Sequence, residues 1–566
     1  MTDLTVVLAG QAGQGLQAAT RQLARAIVRS GYRVFASADV MSRIRGGDNS
    51  NRVRVTDFPV GADSGRAELL VAFEPGLVQR HLGTLVPGGL VVVGDDGPEL
   101  PGGEYRVLRV PFKRLGGRNG RMVNTAALGL VAALCGIDRA ALLAQVCSGY
   151  EHKGEEVVRL NTAALEGGYR AASDSGVEPV ATLGSPETDN GRLLVSGAEA
   201  LALGAVAGGI AFACGYPMSP GTAVLEALAG WSSRTRMVVE QPEDELAAVN
   251  LALGAAFAGR PALVTTAGGG LSLMNEGLSL AGMTETPLVV MSGMRPGPAT
   301  GLATRTAQAD LLFATSCGHG EFARAVLCPG DATQAFAAGR DAALLVEEFQ
   351  TPVLVLFDQF LADGLWTVDG LEFREAQAAS RWQGSPGSYR RYEPSDSGVS
   401  PRILPGTRGE LVYADSDEHT AEGHITESAE VRVEQSGKRL RKLVGLAGRI
   451  PVPERYPDRD ARTLVACFGS TRWAVREAVD RLRAQGQDIG MLHLPGAWPF
   501  PAEPFRQLAR AGRRLVTAEG NLTGQLAALI RQETGMRAGP VVRRYDGRPL
   551  TVAGVEEGLA SDGTGS

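Results

Sequence analysis

The chain lacks the sequence patterns of a protein with structural metal sites or disulfide bonds, and those of a nucleic-acid-binding protein. Its 566 residues include only six cysteines, and no two of them form a CxxC pair. The sequence therefore predicts neither a disulfide framework nor a zinc or iron–sulfur site. The 56 Lys and Arg are interspersed with 62 Asp and Glu, which gives a formal net charge of -6. Because no basic face can form from this pattern, we expect no nucleic-acid partner.

Targeting and membrane-spanning segments are missing as well. Residues 1–8 carry no basic region ahead of their apolar run, so we predict no signal peptide. The charge-poor segment 200–225 contains Pro217 and Pro220, which would break a spanning helix. We therefore expect a soluble cytoplasmic protein with no membrane partner.

Glycine and short Val/Leu-rich runs are what the sequence does have. The 74 glycines collect at predicted turns and helix starts, and apolar runs of strand length alternate with helical patterns. Helices between strands imply parallel sheets, so we predict the α/β class with three α/β units. The predicted divisions are an α/β domain at 1–172, a linker at 173–191, a second α/β domain at 192–364, an extended connecting region at 365–460, a third α/β domain at 461–559 and a frayed tail at 560–566.

Four predicted strands of the second domain each run into a polar or glycine-rich segment. Ligands of an open parallel sheet bind outside the carboxyl ends of its strands. One crevice is therefore expected to collect hydroxyls, carboxylates, bare backbone and a guanidinium. The four segments are 215–222, 240–245, 265–270 and 293–301.

Each segment also has a plain structural explanation. Glu245, like Asp244 and Glu243 before it, would stabilise the first turn of a helix through the helix dipole. Arg295 could form a surface salt bridge, although the Pro-Gly-Pro that follows it suits bidentate capture of a carboxylate. The glycines 268–270 could simply let a helix pack closely on the sheet. Taken singly, no segment decides the function.

Taken together and in order, the segments resemble the α subunit of the 2-oxoacid:ferredoxin oxidoreductases, in particular the 2-oxoglutarate synthase type. The resemblance covers nearly the whole chain. It rests on Gly215-Tyr-Pro-Met-Ser-Pro, Glu243-Asp-Glu-Leu-Ala-Ala-Val-Asn, Arg295-Pro-Gly-Pro-Ala-Thr-Gly with Thr304-Arg-Thr, Gly318-His-Gly-Glu, Asp415-Ser-Asp-Glu-His with Glu422-Gly-His-Ile-Thr-Glu, and Trp498-Pro-Phe-Pro.

The N-terminal domain resembles the γ domain of the same family, fused ahead of α. Gly10-Gln-Ala-Gly-Gln-Gly and Arg45-Gly-Gly carry this part of the resemblance. The family then implies a Rossmann-like γ domain, a thiamine-diphosphate pyrimidine-binding domain and a transketolase C-terminal-like domain.

Family membership implies a thiamine diphosphate enzyme in which a 2-oxoacid and coenzyme A give acyl-CoA, carbon dioxide and two electrons for ferredoxin. Glu245 falls on the position of the catalytic glutamate, which exchanges a proton with the aminopyrimidine ring of the cofactor. Arg295 would be the carboxylate clamp. The other residues that the resemblance implies are Tyr216, Pro217, Ser219 and Thr300 for the substrate, and Thr266, Gly268 and Gly269 for the cofactor.

The substrate loop departs from the form Tyr-Pro-Ile-Thr-Pro that is usual in the family. Met218 and Ser219 replace Ile and Thr, and Ser219 keeps the hydroxyl while it loses the methyl that fixes the rotamer. The expected substrate is 2-oxoglutarate, with pyruvate, a branched-chain 2-oxoacid or indolepyruvate as alternatives.

The chain lacks two parts that this chemistry requires. It has no iron–sulfur cluster motif and no Gly-Asp-Gly motif to hold magnesium and diphosphate. The resemblance therefore implies that a separate β subunit supplies Mg²⁺ and a [4Fe-4S] cluster, in a heterodimer or a dimer of heterodimers. A non-catalytic scaffold subunit is the alternative, and the presence of Glu245, Ser219 and Arg295 argues against it.

Two further segments carry weaker signals. Gly10, Gly13 and Gly15 lie between a strand and a predicted helix at 16–29, where phosphate, as in coenzyme A, could rest on backbone N–H groups. Their order is not the GxGxxG of dinucleotide-binding proteins. His419 and His424 stand among carboxylates in the loop 415–424, but without a helical pair of histidines we predict a solvated acidic loop and no metal site.

Overall fold

The computed structural model describes residues 1–42, 46–97, 99–117, 120–184, 191–373, 387–458, 461–539 and 541–560. The chain forms two compact units. The first comprises Met1–Ser196, Asp363–Gly370 and Thr551–Gly554, and the second comprises Gly197–Ala362, Leu371–Leu550 and Val555–Ser566. Arg45, the end of the predicted linker, parts of the predicted connecting region and residues 561–566 lie outside the described residues. The domain bounds given above stay predictions.

The first 196 residues alternate strands and helices. Helix α1 has the bounds expected from the sequence and buries Leu16, Leu23 and Ile27 along one face. The elements are β1 (Asp3–Ala12), α1 (Leu16–Arg29), β2 (Arg33–Asp39), β3 (Gly46–Thr56), β4 (Ala67–Ala72), α2 (Val78–His81), β5 (Leu85–Gly94), β6 (Tyr105–Val110), α3 (Phe112–Leu115), α4 (Val123–Cys135), α5 (Arg139–Tyr150), α6 (Glu155–Ser173) and β7 (Leu193–Ser196).

The following segment repeats a short buried strand and a helix. Its inner strands β10, β11, β12 and β13 are apolar runs that are buried on both faces, as parallel strands between two helix layers must be, whereas the edge strand β9 is partly exposed. The elements are α7 (Gly197–Ala207), β8 (Phe212–Cys214), α8 (Gly221–Thr235), β9 (Val238–Glu240), α9 (Glu245–Phe257), β10 (Ala262–Ala267), α10 (Gly268–Leu273), α11 (Asn275–Met283), β11 (Leu288–Met294), α12 (Leu311–Ser316), β12 (Ala325–Leu327), α13 (Ala332–Phe349), β13 (Pro352–Asp358), α14 (Gln359–Asp363) and β14 (Leu365–Val368).

The last part of the chain begins with a long helix and ends in a third sheet. The elements are α15 (Ala429–Ala447), β15 (Glu454–Tyr456), β16 (Thr463–Phe468), α16 (Arg472–Ala484), β17 (Ile489–Leu494), β18 (Gly496–Trp498), α17 (Ala502–Arg510), β19 (Arg514–Glu519), α18 (Gln525–Thr534), β20 (Val541–Arg543) and α19 (Val552–Ala560). No helix in these described ranges is long and apolar enough to cross a membrane.

The strands form three sheets. The first has the order β6-β5-β4-β1-β3-β2-β14-β7, the second β18-β12-β13-β11-β10-β8-β9 and the third β15-β17-β16-β19-β20. The second and third are parallel apart from the edge strands β18 and β15, whereas the first is mixed because β1, β3, β2, β14 and β7 pair antiparallel. The predicted α/β class with three sheet-based units is confirmed.

Helix α15 fastens the connecting region to the second unit through a buried charge cluster. Lys438 donates to Glu285 Oε1 over 2.8 Å, Lys442 forms an ion pair with Glu285 Oε2 at 2.7 Å, and all three side chains are almost fully buried. Burial lowers the pKa of Lys442 to about 8, although Glu285 opposes this change. Because unpaired charges are costly in such surroundings, the two lysines hold the helix firmly in place.

Candidate active site at the edge of the second sheet

Four segments leave the second sheet at one edge because its central strands are parallel and in register. Cys214 on β8 lies opposite Val264 and Glu240, and Ala267 on β10 lies opposite Gly293. The structure thus brings together the strand-end segments that the sequence placed in one crevice.

Glu245 is the first residue of α9, and its neighbours take the plain roles. Asp244 caps the helix by accepting a hydrogen bond from Ala247 N over 2.7 Å, and Glu243 is exposed. Glu245 is 4% exposed, and its Oε1 has no hydrogen-bond partner among the residues that the structure describes. An unsatisfied buried carboxyl oxygen is costly, so a donor from a ligand fits this position.

Gly270, which the sequence analysis did not assign to the site, makes room for Glu245. A Cβ atom at residue 270 would lie 2.1 Å from Thr266 Oγ1 and 2.6 Å from Glu245 Cγ. Only glycine fits there, and Thr266 is fully buried beside it. Gly268 is half-buried, and Gly269 is exposed with open space where its side chain would be. The structure therefore brings Thr266, but not Gly269, against the Glu245 pocket.

Arg295 contacts the substrate loop proposed from the sequence. Its Nη1 donates to the backbone oxygen of Ser219 over 3.0 Å, so most N–H groups of the guanidinium are not taken up by the hydrogen bonds found among the described residues. Burial lowers the pKa of Arg295, and the carboxyl groups of Asp310 and Glu245 oppose that shift. Tyr216 is 40% exposed and Pro217 is also exposed, so these two residues lie at the open side of the loop.

The residues after Arg295 form a closed loop. Leu302 N donates to Pro296 O over 3.0 Å, and Gly301 has a φ of +50°. A Cβ at Gly301 would lie 1.8 Å from Pro296 O, so glycine is required for this closure. Thr300 is exposed on the loop. The hydrogen bond between Leu302 and Pro296 thus holds the backbone next to Arg295 in a closed turn.

Asp310 is a second buried carboxyl group, which the sequence analysis missed. Its Oδ2 lies 2.6 Å from the position of a Cβ on Gly268 and has no hydrogen-bond partner in the described ranges. Burial raises the pKa of Asp310 to about 6, while Arg295 acts in the opposite direction. An aspartate directly before a helix is typical of a cap, but this side chain does not cap α12. It faces the crevice instead.

The N-terminal glycine loop has a different character. Gly13 and Gly15 have φ values of +90° and +73°, and Gly15 directly precedes α1. The side chain of Gln14 lies within the loop, where it donates to Glu74 Oε1 over 2.8 Å and accepts from Gln11 N over 2.7 Å. A Cβ on Gly10 would meet that same side chain at 2.6 Å. A role for Gly10, Gly13 and Gly15 in phosphate or coenzyme A binding stays a prediction.

The acidic loop 415–424 is only partly solvated. Asp417 and His424 are exposed, but His419 is fully buried with its ring 3.9 Å from that of Tyr392. Burial would raise the pKa of Glu418, yet hydrogen bonds from Arg439 and Arg432 lower it to about 2. The expectation of a solvated loop is therefore wrong for Glu418 and His419. No group of three or more potential metal ligands occurs in the part of the chain that is described.

Cys214 is buried at the end of β8, and its Sγ donates to Ala248 O over 3.1 Å. Burial raises the pKa of this thiol to about 12. The thiolate that a nucleophile needs is therefore disfavoured, and Cys214 packs as a core residue.

Three family models match successive parts of the chain. The model described as "Pyruvate flavodoxin/ferredoxin oxidoreductase, thiamine diP-bdg" matches residues 203–438. The model "Pyruvate ferredoxin/flavodoxin oxidoreductase" matches residues 5–171, and "Pyruvate:ferredoxin oxidoreductase core domain II" matches residues 461–555. The candidate site lies within the first of these matches.

Individual proteins are similar over most of their length. The 2-oxoacid:ferredoxin oxidoreductase subunit alpha from Sulfolobus sp is 29% identical, with 98% of this chain and 96% of the relative covered. The 2-oxoglutarate synthase subunit KorA from Methanothermobacter marburgensis is 30% identical, with 60% of this chain and 91% of the relative covered.

A solved structure has the same fold along the whole chain. The 2-oxoglutarate:ferredoxin oxidoreductase from Magnetococcus marinus, determined with 2-oxoglutarate, coenzyme A and succinyl-CoA bound, superimposes with a TM-score of 0.93. It is 28% identical and covers 99% of this chain and 100% of its own. With the crevice, the family models and these relatives in agreement, the chain belongs to the 2-oxoacid:ferredoxin oxidoreductase family as an alpha subunit with a thiamine-diphosphate-binding domain.

Proposed function

We propose that this chain is the α subunit of a 2-oxoglutarate:ferredoxin oxidoreductase. The reaction converts 2-oxoglutarate and coenzyme A to succinyl-CoA and carbon dioxide and passes two electrons to ferredoxin. The observation that carries the proposal is the buried Oε1 of Glu245, which has no hydrogen-bond partner in the described part of the chain and lies in the same crevice as Arg295. The relatives that act on 2-oxoglutarate by name support this choice of 2-oxoacid.

The residues around Glu245 fit the aminopyrimidine ring of thiamine diphosphate. A ring nitrogen that carries or shares a proton would satisfy Glu245 Oε1, and the missing side chain of Gly270 lets the Glu245 side chain lie against Thr266. When bound, the cofactor supplies the carbanion chemistry of decarboxylation. Glu245 would hold and return a proton at its buried Oε1, Thr266 and Gly268 would line the cofactor there, and Gly269 would contact it from the exposed side.

Arg295 would bind the carboxylate of the 2-oxoacid. Because only one guanidinium N–H is used on Ser219 O, the remaining donors can form the paired hydrogen bonds that a carboxylate accepts. The hydroxyl of Ser219, on the loop that Arg295 contacts, would donate to the oxo group of the substrate. Tyr216, Pro217 and Thr300 lie on the exposed side and would contact the substrate as it enters.

Apolar side chains exposed on the elements that carry the site support a partner subunit. Tyr216, Leu246, Leu251 and Leu273 are each between 40 and 49% exposed. Exposed apolar side chains on the same elements as a half-built polar site are what a surface covered by another chain would show. We propose that a β subunit binds here and brings Mg²⁺, the diphosphate site and a [4Fe-4S] cluster, in a heterodimer or a dimer of heterodimers.

Reconstitution tests these proposals together. The chain would be co-expressed with a candidate β subunit that contains several cysteines and a Gly-Asp-Gly motif. The purified complex would then be assayed for CoA-dependent reduction of a low-potential dye and of ferredoxin. The substrates to compare are 2-oxoglutarate, pyruvate, branched-chain 2-oxoacids and indolepyruvate.

We expect the highest kcat/KM with 2-oxoglutarate and no reduction without coenzyme A. Preference for another acid would replace the substrate assignment and leave the family chemistry intact. A complex that binds thiamine diphosphate but turns over none of the acids would support a scaffold subunit. Activity of this chain alone would contradict the proposal that a β subunit supplies the rest of the active site.

A further inference from the structure

The third sheet has its own crevice of the kind that binds ligands in α/β proteins. Strand β16 lies between β17 and β19, so the chain moves to one side of β16 first and to the other side afterwards. Ligands of open parallel sheets bind at such a reversal, outside the carboxyl ends of the strands. Strand β16 ends at Phe468 and is followed by Gly469, and strand β19 ends at Glu519 and is followed by Gly520.

Gln308 lies in this crevice, and both its side-chain amide and its backbone form hydrogen bonds there. Its Nε2 donates to Phe468 O over 2.8 Å, and its Oε1 accepts from Gly520 N over 2.8 Å. Its backbone N donates to Gly520 O over 2.7 Å, and its backbone oxygen accepts from Asn521 Nδ2 over 3.0 Å. Gln308 is 2% exposed. Buried polar groups that are all satisfied by the chain itself mark a structural joint.

The two glycines are shaped to this side chain. A Cβ on Gly469, whose φ is +58°, would lie 2.9 Å from Gln308 Nε2, and a Cβ on Gly520 would lie 3.2 Å from Gln308 Cγ. A side chain at residue 469 would force Gln308 to move, and one at residue 520 would press closely against it. The place where a ligand would sit on the third sheet is thus filled by a residue that follows the Arg295 loop.

The residues on both sides of Gln308 are held by the same part of the chain. Thr306 N donates to Gly547 O over 3.2 Å. The side chain of Gln525 binds the backbone on both sides of Asp310. Its Nε2 donates to Ala309 O over 2.6 Å, and its Oε1 accepts from Leu312 N over 3.1 Å. Segment 306–312 is therefore fixed along its length, directly downstream of the closed loop that follows Arg295.

We propose that Gln308 is a positioning residue, which seats segment 306–312 in the crevice of the third sheet and thereby fixes the direction of Arg295 toward the 2-oxoacid. This inference rests on the proposed role of Arg295 as the carboxylate clamp. The third sheet would then serve as a socket for the substrate loop. Displacement of a binding group by about 1 Å can cost a factor of about 100 in rate, so the seating of the loop matters for binding of the 2-oxoacid.

The test is the variant Gln308→Ala in the reconstituted complex. We expect the KM for the 2-oxoacid to rise about tenfold, while the KM for coenzyme A and the affinity for thiamine diphosphate stay within about twofold. Gln525→Ala, which removes the two bonds beside Asp310 from a half-buried position, is expected to act in the same direction and serves if the first variant does not fold.

Gln435→Ala is the matched control. Gln435 is also a buried glutamine, with Nε2 bonded to Tyr392 O over 3.0 Å on helix α15, outside the crevices. It is expected to lower the melting temperature to a similar extent without changing the KM for the 2-oxoacid. Positioning also predicts that Gln308→Ala and Arg295→Lys are not additive in their effect on that KM, because both act on one contact.

Two results separate the inference from the function on which it rests. If Arg295→Lys raises the KM for the 2-oxoacid but Gln308→Ala and Gln525→Ala do not, the positioning role is wrong and the clamp survives. If Arg295→Lys has no effect on that KM, the clamp itself is wrong and the inference falls with it. An equal rise in Gln435→Ala, or fully additive effects, would also overturn the positioning role, because loss of rigidity alone would account for them.

Discussion

The second and third sheets differ in what lies at the carboxyl ends of their parallel strands. At the second sheet, Glu245 Oε1 and Asp310 Oδ2 are buried without a hydrogen-bond partner among the described residues. At the third, Gln308 is fully bonded, and the buried Glu519 accepts from Thr517 Oγ1, Asn521 Nδ2 and Leu526 N over 2.8 to 3.0 Å. Since native chains satisfy most buried polar groups, two unsatisfied carboxyl oxygens in one crevice fit a ligand that donates hydrogen bonds there. Unsatisfied polar atoms also occur elsewhere in the described ranges, among them both ring nitrogens of the buried His493 on β17.

The largest effect is expected from Glu245→Gln. The amide cannot hold and return a proton, so kcat should fall by about 10²- to 10⁴-fold while the complex still assembles. Steady-state turnover and the melting temperature of the complex measure the two parts of this prediction. Glu243→Gln is the control, because Glu243 is exposed two residues away and should leave kcat within about threefold. A Glu245→Gln enzyme with near-normal kcat would show that the unpartnered oxygen is not the functional one.

Arg295→Lys should give the next largest effect. Lysine keeps the charge but cannot form two parallel hydrogen bonds to a carboxylate, so the variant isolates geometry from net charge. A charge-assisted hydrogen bond contributes about 1.5 to 3 kcal/mol, which corresponds to a rise of about 10- to 150-fold in KM for the 2-oxoacid. Initial rates over a range of 2-oxoacid and coenzyme A concentrations provide the measurement. A rise in the KM for coenzyme A instead would assign Arg295 to the other substrate.

The order of segments along the chain was enough to predict the α/β class and the crevice that holds Glu245 and Arg295. Strand ends are local features, and parallel pairing brings successive ends to one edge. The mixed first sheet was not predicted: the antiparallel pair of β2 and β3, which are neighbours in sequence, was missed, and β14 joins β2 across more than 300 residues. Such a pairing leaves no local pattern at either strand.

The residues that the sequence missed are those whose role depends on distant partners. Gly270 belongs to the same run of three glycines as Gly268 and Gly269, and only its approach to Thr266 and Glu245 distinguishes it. Asp310 has the sequence context of a helix cap. Gln308 bonds to Phe468 and Asn521, which are 160 and 213 residues away, so nothing nearby in the sequence identifies it.

Gly270→Ala and Gly269→Ala form a matched pair on one short helix. The added methyl at residue 270 would meet Thr266 and Glu245, so we expect a loss of about 1 to 3 kcal/mol in the free energy of unfolding and weaker binding of thiamine diphosphate. At residue 269 nothing lies within 4 Å, and alanine should be neutral or stabilise by up to about 1 kcal/mol. Urea unfolding and cofactor titration measure both. Equal losses at the two positions would mean that the glycines act only through backbone flexibility.

The smallest effect concerns Asp310 and appears only as a change with pH. Burial raises the pKa of Asp310 from its usual 3.8 to about 6, so the folded protein favours the protonated form more than the unfolded chain does. The sign follows from this difference: the contribution of Asp310 to stability is present at low pH and is lost as the pH rises from about 4 to above 6. Between pH 5 and pH 7 the loss should be about 1 kcal/mol.

Asp310→Asn mimics the protonated form, so the variant should lose about 1 kcal/mol less stability than the wild type over the same interval, as measured by urea unfolding at pH 5 and pH 7. A slope remains, because burial also raises the pKa of Asp358 to about 6. Glu243→Gln changes an exposed carboxyl group and should leave the pH dependence as it is in the wild type. If Asp310→Asn instead lost as much stability as the wild type, Asp310 would already be paired in solution. Of the two carboxyl groups compared at the second sheet, Glu245 alone would then remain unsatisfied.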